Sequence, residues 1–306
     1  MQSEGDQLLV TGATGLVGRR LVDALLARGS RVRVLSRSAR SGRPGVEART
    51  WDGVDPGEEA LRGVDAVVHL SGEPLFGGLP TASRLERVRA SRVDSTRRLV
   101  ERIAELPAEA RPRCLVCASA VGIYGARGDE RLDEDVALGT GFLAELCRDW
   151  EREAARAREL SVRVVSLRIG VVLARDGGAL ALMRVPFSLG LGGRLGDGRQ
   201  YFPWIHLDDL VAAILFGLDH DQLEGPINGV APEAVRNADL TRTLARVLHR
   251  PAFLPVPAFA VRALMGELAG ELLESRRVVP ARLEAAGFRW SYPALDAALE
   301  AELGRD

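Results

Sequence analysis

Five short apolar runs alternate with helical patterns through the first half of this chain. The runs are QLLVTG (7–12), RVRVLSR (31–37), DAVVHLSG (65–72), RCLVCASA (113–120) and VRVVSLRIG (162–170). Each is rich in β-branched or large apolar residues and bounded by Gly, Pro or charge, so each reads as a strand. Between them GRRLVDALLARG, SRVDSTRRLVERIAEL and GFLAELCRDWEREAARAREL repeat apolar residues at helical spacing. Strand–helix alternation of this kind builds an α/β fold with a mostly parallel sheet covered on both faces, and right-handed crossovers wind it in both directions. After about residue 175 glycines cluster in LGLGGRLGDGRQ, and Pro with small apolar residues fills PAFLPVPAFAVRALMG. We therefore expect a main domain over 1–175 and a smaller substrate lobe over 176–306, with 200–220 returning to the main domain.

Gly12, Gly15 and Gly18 lie between the first strand and the first helix, on a turn that also carries Thr14, Leu16 and Val17. A strand–turn–helix context is what makes this spacing a dinucleotide grip. Gly12 permits the tight turn, Gly15 lets backbone approach a pyrophosphate, and Gly18 lets helix pack on strand, leaving helix N-terminal N–H groups for the phosphates. The sheet is thus of the Rossmann type. An NAD site usually ends its second strand in Asp or Glu. Here that strand ends in Ser36 and Arg37 with Arg40 close behind. Guanidinium groups suit a ribose 2′-phosphate, so the expected cofactor is NADP(H).

Bulk properties narrow the rest. A net charge of −1 argues against a general nucleic-acid or membrane surface. No apolar run nears the roughly 20 residues of a membrane span, and polar residues follow Met1, so a cytoplasmic location is expected. Cys114, Cys117 and Cys147 form no disulfide framework, and the C-x-x-C pair falls inside an apolar strand, where core packing is expected. No His/Cys/Asp cluster has metal spacing. All 41 basic residues are arginine. Any mechanism that needs a lysine is excluded.

TGATGLVG, Asp52 after the third strand, HLSG, SAVGIYG, WIHLDDL and GPINGVAP resemble the extended short-chain dehydrogenase/reductases. More narrowly, GEPL, SRVDSTRRLVE, GFLAELCRDWE, GGRLGDGRQYFPWIH and LHRPAFLPVPAF look like an atypical epimerase-like subfamily, sometimes labelled cell-division inhibitor. The resemblance implies NADP binding by Gly12, Gly15, Gly18 and Arg37. It implies an adenine-side acid at Asp52, a cofactor-flanking loop at Leu70, Ser71 and Gly72, and nicotinamide contacts from backbone at Arg168 and Gly170. The wider superfamily works with Tyr-x-x-x-Lys on the helix that is GFLAELCRDWEREA here. Around those positions stand Phe142, Leu143, Leu146 and Cys147. Ala120 replaces the usual serine, with Ser119 one position away, and Arg92, an expected substrate contact, replaces an asparagine.

Other groups are candidates for the missing proton relay. Tyr124 follows the fifth strand, with Arg92 or Arg127 as groups that would lower its pKa; a packing tyrosine is the alternative. Glu73 after HLSG suits a general base, or a solvated loop acid; Ser119 is the third candidate. His206 is expected to be structural, ahead of a helix capped by Asp208 or Asp209, while His69 reads as core and His220 and His249 as surface. Trp150 reads as core and Glu151 as an ion-pair partner for an arginine of the smaller lobe. GGRLGDGRQYFPW reads as a substrate lid, with Arg199, Gln200 and Tyr201 as contacts, or as a static inter-lobe loop. The Gly/Pro-rich loop from Glu73 to Ser83 is expected to move. Two functions fit: an NADP(H)-dependent oxidoreductase or epimerase of a small polar metabolite, or a non-catalytic NADP(H)-binding redox sensor. The substrate and the oligomeric state are not legible.

Overall fold

The computed structural model describes residues 5–37, 43–75 and 78–304. Its core is a seven-stranded parallel sheet: β1 (Gln7–Thr11), β2 (Arg31–Ser36), β3 (Val46–Thr50), β4 (Ala66–His69), β5 (Cys114–Ala120), β6 (Arg163–Ile169) and β7 (Gly225–Gly229). Their spatial order is β7-β6-β5-β4-β1-β2-β3. The order reverses at β1, so the carboxyl edge opens a crevice there.

The strand residues alternate faces. Leu8 and Val10 join Val34, Val68 and Val116 under α1 (Leu16–Ala27), while Leu9 joins Val67, Leu115 and Val164 under the opposite helices α2 (Ala82–Glu105) and α3 (Phe142–Ala155). Near-continuous apolar strands are what a sheet buried on both faces requires. Cys114 and Cys117 lie on opposite faces of β5, and burial pushes their thiols up to about 11 and 12. They are core residues. Trp150 is likewise buried under α2.

The lobe boundary differs from the expected one. After β6 the chain forms α4 (Gly178–Ser188), then strand residues Trp204–His206 and α5 (Leu207–Asp219), which packs beside α1. It then adds β7 to the sheet, pairing Gly225–Gly229 with Val165–Ile169. The returning segment therefore runs to 229, because GPING completes the edge that β6 would otherwise expose. Leu283 and Phe288 also join the core beneath α1 and α5. The smaller lobe keeps α4, α6 (Asn237–Val247), α7 (Ala258–Met265), the short α8 (Gly270–Leu273) and the C-terminal helix 295–303, around Leu173, Phe187, Trp204, Leu240, Leu244 and Leu299.

His206, not an aspartate, caps α5: its Nδ1 accepts from Asp208 N at 3.1 Å, and its Nε2 lies 2.9 Å from Glu302 Oε1. Asp209 is buried and accepts from Ser291 N and Tyr292 N instead, at 2.7 and 2.9 Å. His220 and His249 are exposed. Among the described residues no helix is long and apolar enough to cross a membrane.

Candidate active site

The turn after β1 is shaped by what its glycines lack. Gly12 has φ +70°, and a Cβ there would sit 2.8 Å from the Leu70 carbonyl. A Cβ on Gly18 would lie 2.2 Å from the Gly12 oxygen. Both contacts are with backbone, which cannot move aside. Gly15 N donates to Gly12 O at 3.0 Å and starts α1, whose first turn has neither a side-chain cap nor an acidic residue. Bare N–H groups at the positive end of a helix suit an anion. Thr14 and Gly15 are exposed, whereas Leu16 and Val17 are half-buried as α1 begins.

Thr11 fixes the opposite wall. Its Oγ1 accepts from Leu70 N and Ser71 N, each at 3.2 Å, so its own proton goes to His69 Nδ1 at 2.8 Å. That places the tautomeric proton of His69 on Nε2, facing Ser95 Oγ at 3.3 Å. Burial lowers the His69 pKa to about 4, so the ring stays neutral. His69 is a satisfied core residue, and the Leu70–Ser71–Gly72 segment is pinned beside Gly12.

At the adenine end, Ser36 is half-buried and Arg37 exposed where β2 stops; Arg40 lies outside the described residues. Asp52 Oδ1 accepts from Val54 N and Asp55 N at 2.8 and 3.0 Å, which spends that oxygen on its own turn.

At the far end, Arg168 gives a two-pronged contact to Glu151, Nε to Oε1 and Nη2 to Oε2, both 2.9 Å. Ser119 Oγ donates to Glu151 Oε1 at 2.6 Å. Arg168 Nη1 donates to Tyr124 OH at 2.9 Å, and Tyr124 OH donates to Asn228 Oδ1 at 2.7 Å. Asn228 Nδ2 then donates to Val279 O, and Asn228 N to Glu134 Oε1, each at 2.9 Å. The result is a closed buried network that locks β5, α3, β6 and β7 together.

Several expectations change on this geometry. Tyr124 is fully buried, and burial drives its pKa up to about 12; Arg92 and Arg127 are not its partners, and Arg168 does not offset desolvation. It is a poor proton carrier. Arg168 lies within β6 and not after it, its backbone in register with Ser119 and Asn228 and its guanidinium on Glu151. The partner of Glu151 belongs to the sheet and not to the smaller lobe. Ser119 gives its proton to Glu151. Gly170 has a packing reason, since a Cβ would meet Pro203 O at 2.9 Å.

Glu73 keeps 30% of its side chain exposed, with Arg87 Nε 3.5 Å away. Arg92 caps the loop after β4: Nη1 donates to Glu73 O at 2.9 Å, the guanidinium stacks 5.4 Å over Trp150, and its Cζ would lie 3.0 Å from a Cβ on Gly72. Phe76 and Gly77 of the loop from Glu73 to Ser83 lie outside the described residues, and Ser83 already belongs to α2.

The expected lid is bound down. Gln200 is buried and donates to Leu195 O and Leu272 O at 3.1 Å each. Tyr201 packs between Arg236 and Arg277, whose Cζ atoms lie 4.4 and 5.5 Å from its ring centre, and Arg236 also bonds the Arg199 carbonyl. Arg199 alone of the three is exposed. The static inter-lobe reading fits these contacts.

Sequence reasoning missed Thr11, Asn228 and Glu134. Thr11 and Asn228 stand inside TGATG and GPING, where the glycines are the stronger signal.

A family model, the NAD dependent epimerase/dehydratase family, matches residues 8–228. The chain belongs to this family. Within it, a chloroplastic epimerase family protein SDR39U1 homolog of Arabidopsis thaliana is 43% identical over 297 residues, covering 95% of this chain and 85% of the relative. Epimerase family protein SDR39U1 of Bos taurus is 41% identical over 299 residues, 96% of this chain and 98% of the relative. A crystal structure of human epimerase family protein SDR39U1 with NADPH has TM-score 0.87 at 35% identity, covering 98% of this chain and 100% of that one. Residues 256–302 match a separate domain of unknown function. Membership agrees with the extended short-chain dehydrogenase/reductase pattern of the sequence and with the parallel sheet.

Proposed function

We propose that this epimerase-family chain binds NADP(H) along the carboxyl edge of its sheet and works as an oxidoreductase or epimerase on a small polar metabolite. The observation that carries the cofactor is the cradle itself. Gly12 and Gly18 approach backbone too closely for any side chain, and α1 presents an uncapped N-terminus beside them. The pyrophosphate would be held there, with the Leu70–Gly72 segment beside it and Arg37 for the 2′-phosphate. When bound, the dinucleotide would supply or accept a hydride at the far end of the cleft. NADPH in the human relative's crystal structure supports this choice of cofactor.

A second reading, a redox sensor that holds NADP(H) without turnover, is favoured by one observation. Phe142, Leu143, Leu146 and Cys147 stand on α3 around the positions where the superfamily pattern carries its acid/base pair, and burial raises the Cys147 thiol to about 12. Incubating the NADPH-loaded protein with a small-molecule extract, and resolving isomers by chromatography before mass spectrometry, separates the two. An enzyme changes at least one metabolite; a sensor binds the cofactor and changes none.

A further inference from the structure

The domain of unknown function reaches into the far end of the cleft. Glu271 on α8 places its Oε1 3.1 Å from where Gly122 would carry a Cβ, and Leu143 Cβ lies 3.4 Å from the same point. Gly122 follows the end of β5 by two residues, and Leu143 is the second residue of α3. A carboxyl from the smaller lobe therefore lies between the two elements that flank the reacting end of the cofactor, over a helix that carries no acid/base pair. The missing Cβ at 122 is what leaves it room.

The state of this carboxyl is unusual. Oε1 is enclosed and makes no aligned hydrogen bond, although Arg276 Nη2 lies 2.9 Å away. Arg276 is otherwise engaged: Nη2 donates to Glu274 Oε2 at 2.6 Å and Nε to Gly125 O at 3.1 Å. The Glu271 side chain keeps 16% of its surface, which lies on atoms other than Oε1. The other candidates are spent or wet. Tyr124 and Ser119 sit in the closed network, and Glu73 is a half-exposed loop carboxylate beside Arg87.

We propose that Glu271 exchanges the proton with the substrate oxygen in this cleft, giving it to a carbonyl being reduced and taking it from a hydroxyl being oxidised. This rests on the oxidoreductase reading above. In reduction the Oε2–H bond breaks and an O–H bond forms on the substrate as the dinucleotide provides the hydride to carbon. The carboxylate left behind is balanced by the Arg276 charge 2.9 Å away, which Glu274 shares, and regains a proton from water; oxidation runs the same bonds in reverse. Burial raises the pKa of Glu271, with Glu274 raising it further and Arg276 opposing. Cys147 feels the Glu271 charge, along with those of Glu151 and Arg92. An acid whose burial favours the protonated form is suited to give and regain a proton.

The test uses full-length Glu271→Gln and Glu271→Asp and the extract component that wild type converts. Glu271→Gln is expected to bind NADPH within about twofold of wild type and to lose conversion by about 100-fold or more, the usual yield of general acid–base catalysis. Glu271→Asp is expected to restore part of it. Wild-type reduction falls as pH rises through the Glu271 pKa, and that limb is absent from the Gln variant. Independently of activity, ¹³C NMR of carboxyl-labelled glutamate should show one carboxyl titrating above the ordinary range that is missing in Glu271→Gln. If the Gln variant does not fold, the wild-type resonance and Glu271→Asp decide. Undiminished conversion by Glu271→Gln, or a Glu271 resonance in the ordinary range, overturns the inference and leaves the enzyme reading standing. A wild type that converts nothing removes that reading, and the inference with it.

Discussion

At the scale of single residues, the strongest demands come from two missing methyl groups and one guanidinium. Gly18→Ala puts a Cβ 2.2 Å from Gly12 O, so the turn must open. Isothermal titration is expected to find NADPH binding reduced by 100-fold or more, a loss of about 3 kcal/mol. Arg37→Ala should weaken NADPH about tenfold and leave NADH within about twofold, since a charge-assisted contact is worth roughly 1.5–3 kcal/mol; equal loss for both cofactors would contradict a 2′-phosphate role. Tyr124→Phe takes the donor from Asn228 Oδ1 and leaves Arg168 Nη1 only the longer contact to Glu134 O at 3.4 Å. It should cost about 1–3 kcal/mol of stability in denaturant unfolding, and conversion per folded molecule should stay within a few-fold. The glycines were legible because their need is local: a strand, a turn and a helix in sequence. The wiring of Tyr124 was not. Its partners Arg168 and Asn228 lie 44 and 104 positions away, and only the packed sheet brings them together.

Elements show why the sheet could be read and the lobe boundary could not. Strands β1, β4 and β5 are near-continuous apolar runs, which marks a sheet buried on both faces, while β2 and β6 keep enough valine and leucine to read as strands around Arg33, Ser166 and Arg168. β7 is GPING, two glycines, a proline and an asparagine among five residues, which reads as a turn. It is a strand because β6 offers it an edge. His69 illustrates an element-level consequence of such burial. Held neutral between Thr11 on β1 and Ser95 on α2, with a pKa of about 4 against about 6.5 in the unfolded chain, it adds stability that is full above pH 6.5. That stability is lost as pH falls toward 4, by roughly 3 kcal/mol. Unfolding free energies measured between pH 7 and 4 should show this fall, and His69→Asn should flatten it.

For the whole molecule, the chain weaves between lobes instead of dividing once. α5, β7 and the segment carrying Leu283 and Phe288 return to the sheet after α4 has begun the smaller lobe. Calorimetry of the NADPH-free protein should therefore show one cooperative transition, and two separated transitions would contradict the shared core. This weave also brings Glu271, from the domain of unknown function, beside Gly122 and Leu143. The cleft thus has a cofactor grip at one end and residues from both lobes at the other. The most direct measurement of that account is mass spectrometry, with isomers resolved, of a small-molecule extract before and after incubation with NADPH-loaded wild type and with Gly18→Ala. A metabolite changed by wild type alone is the predicted result. Tight NADPH binding with every metabolite unchanged would contradict it.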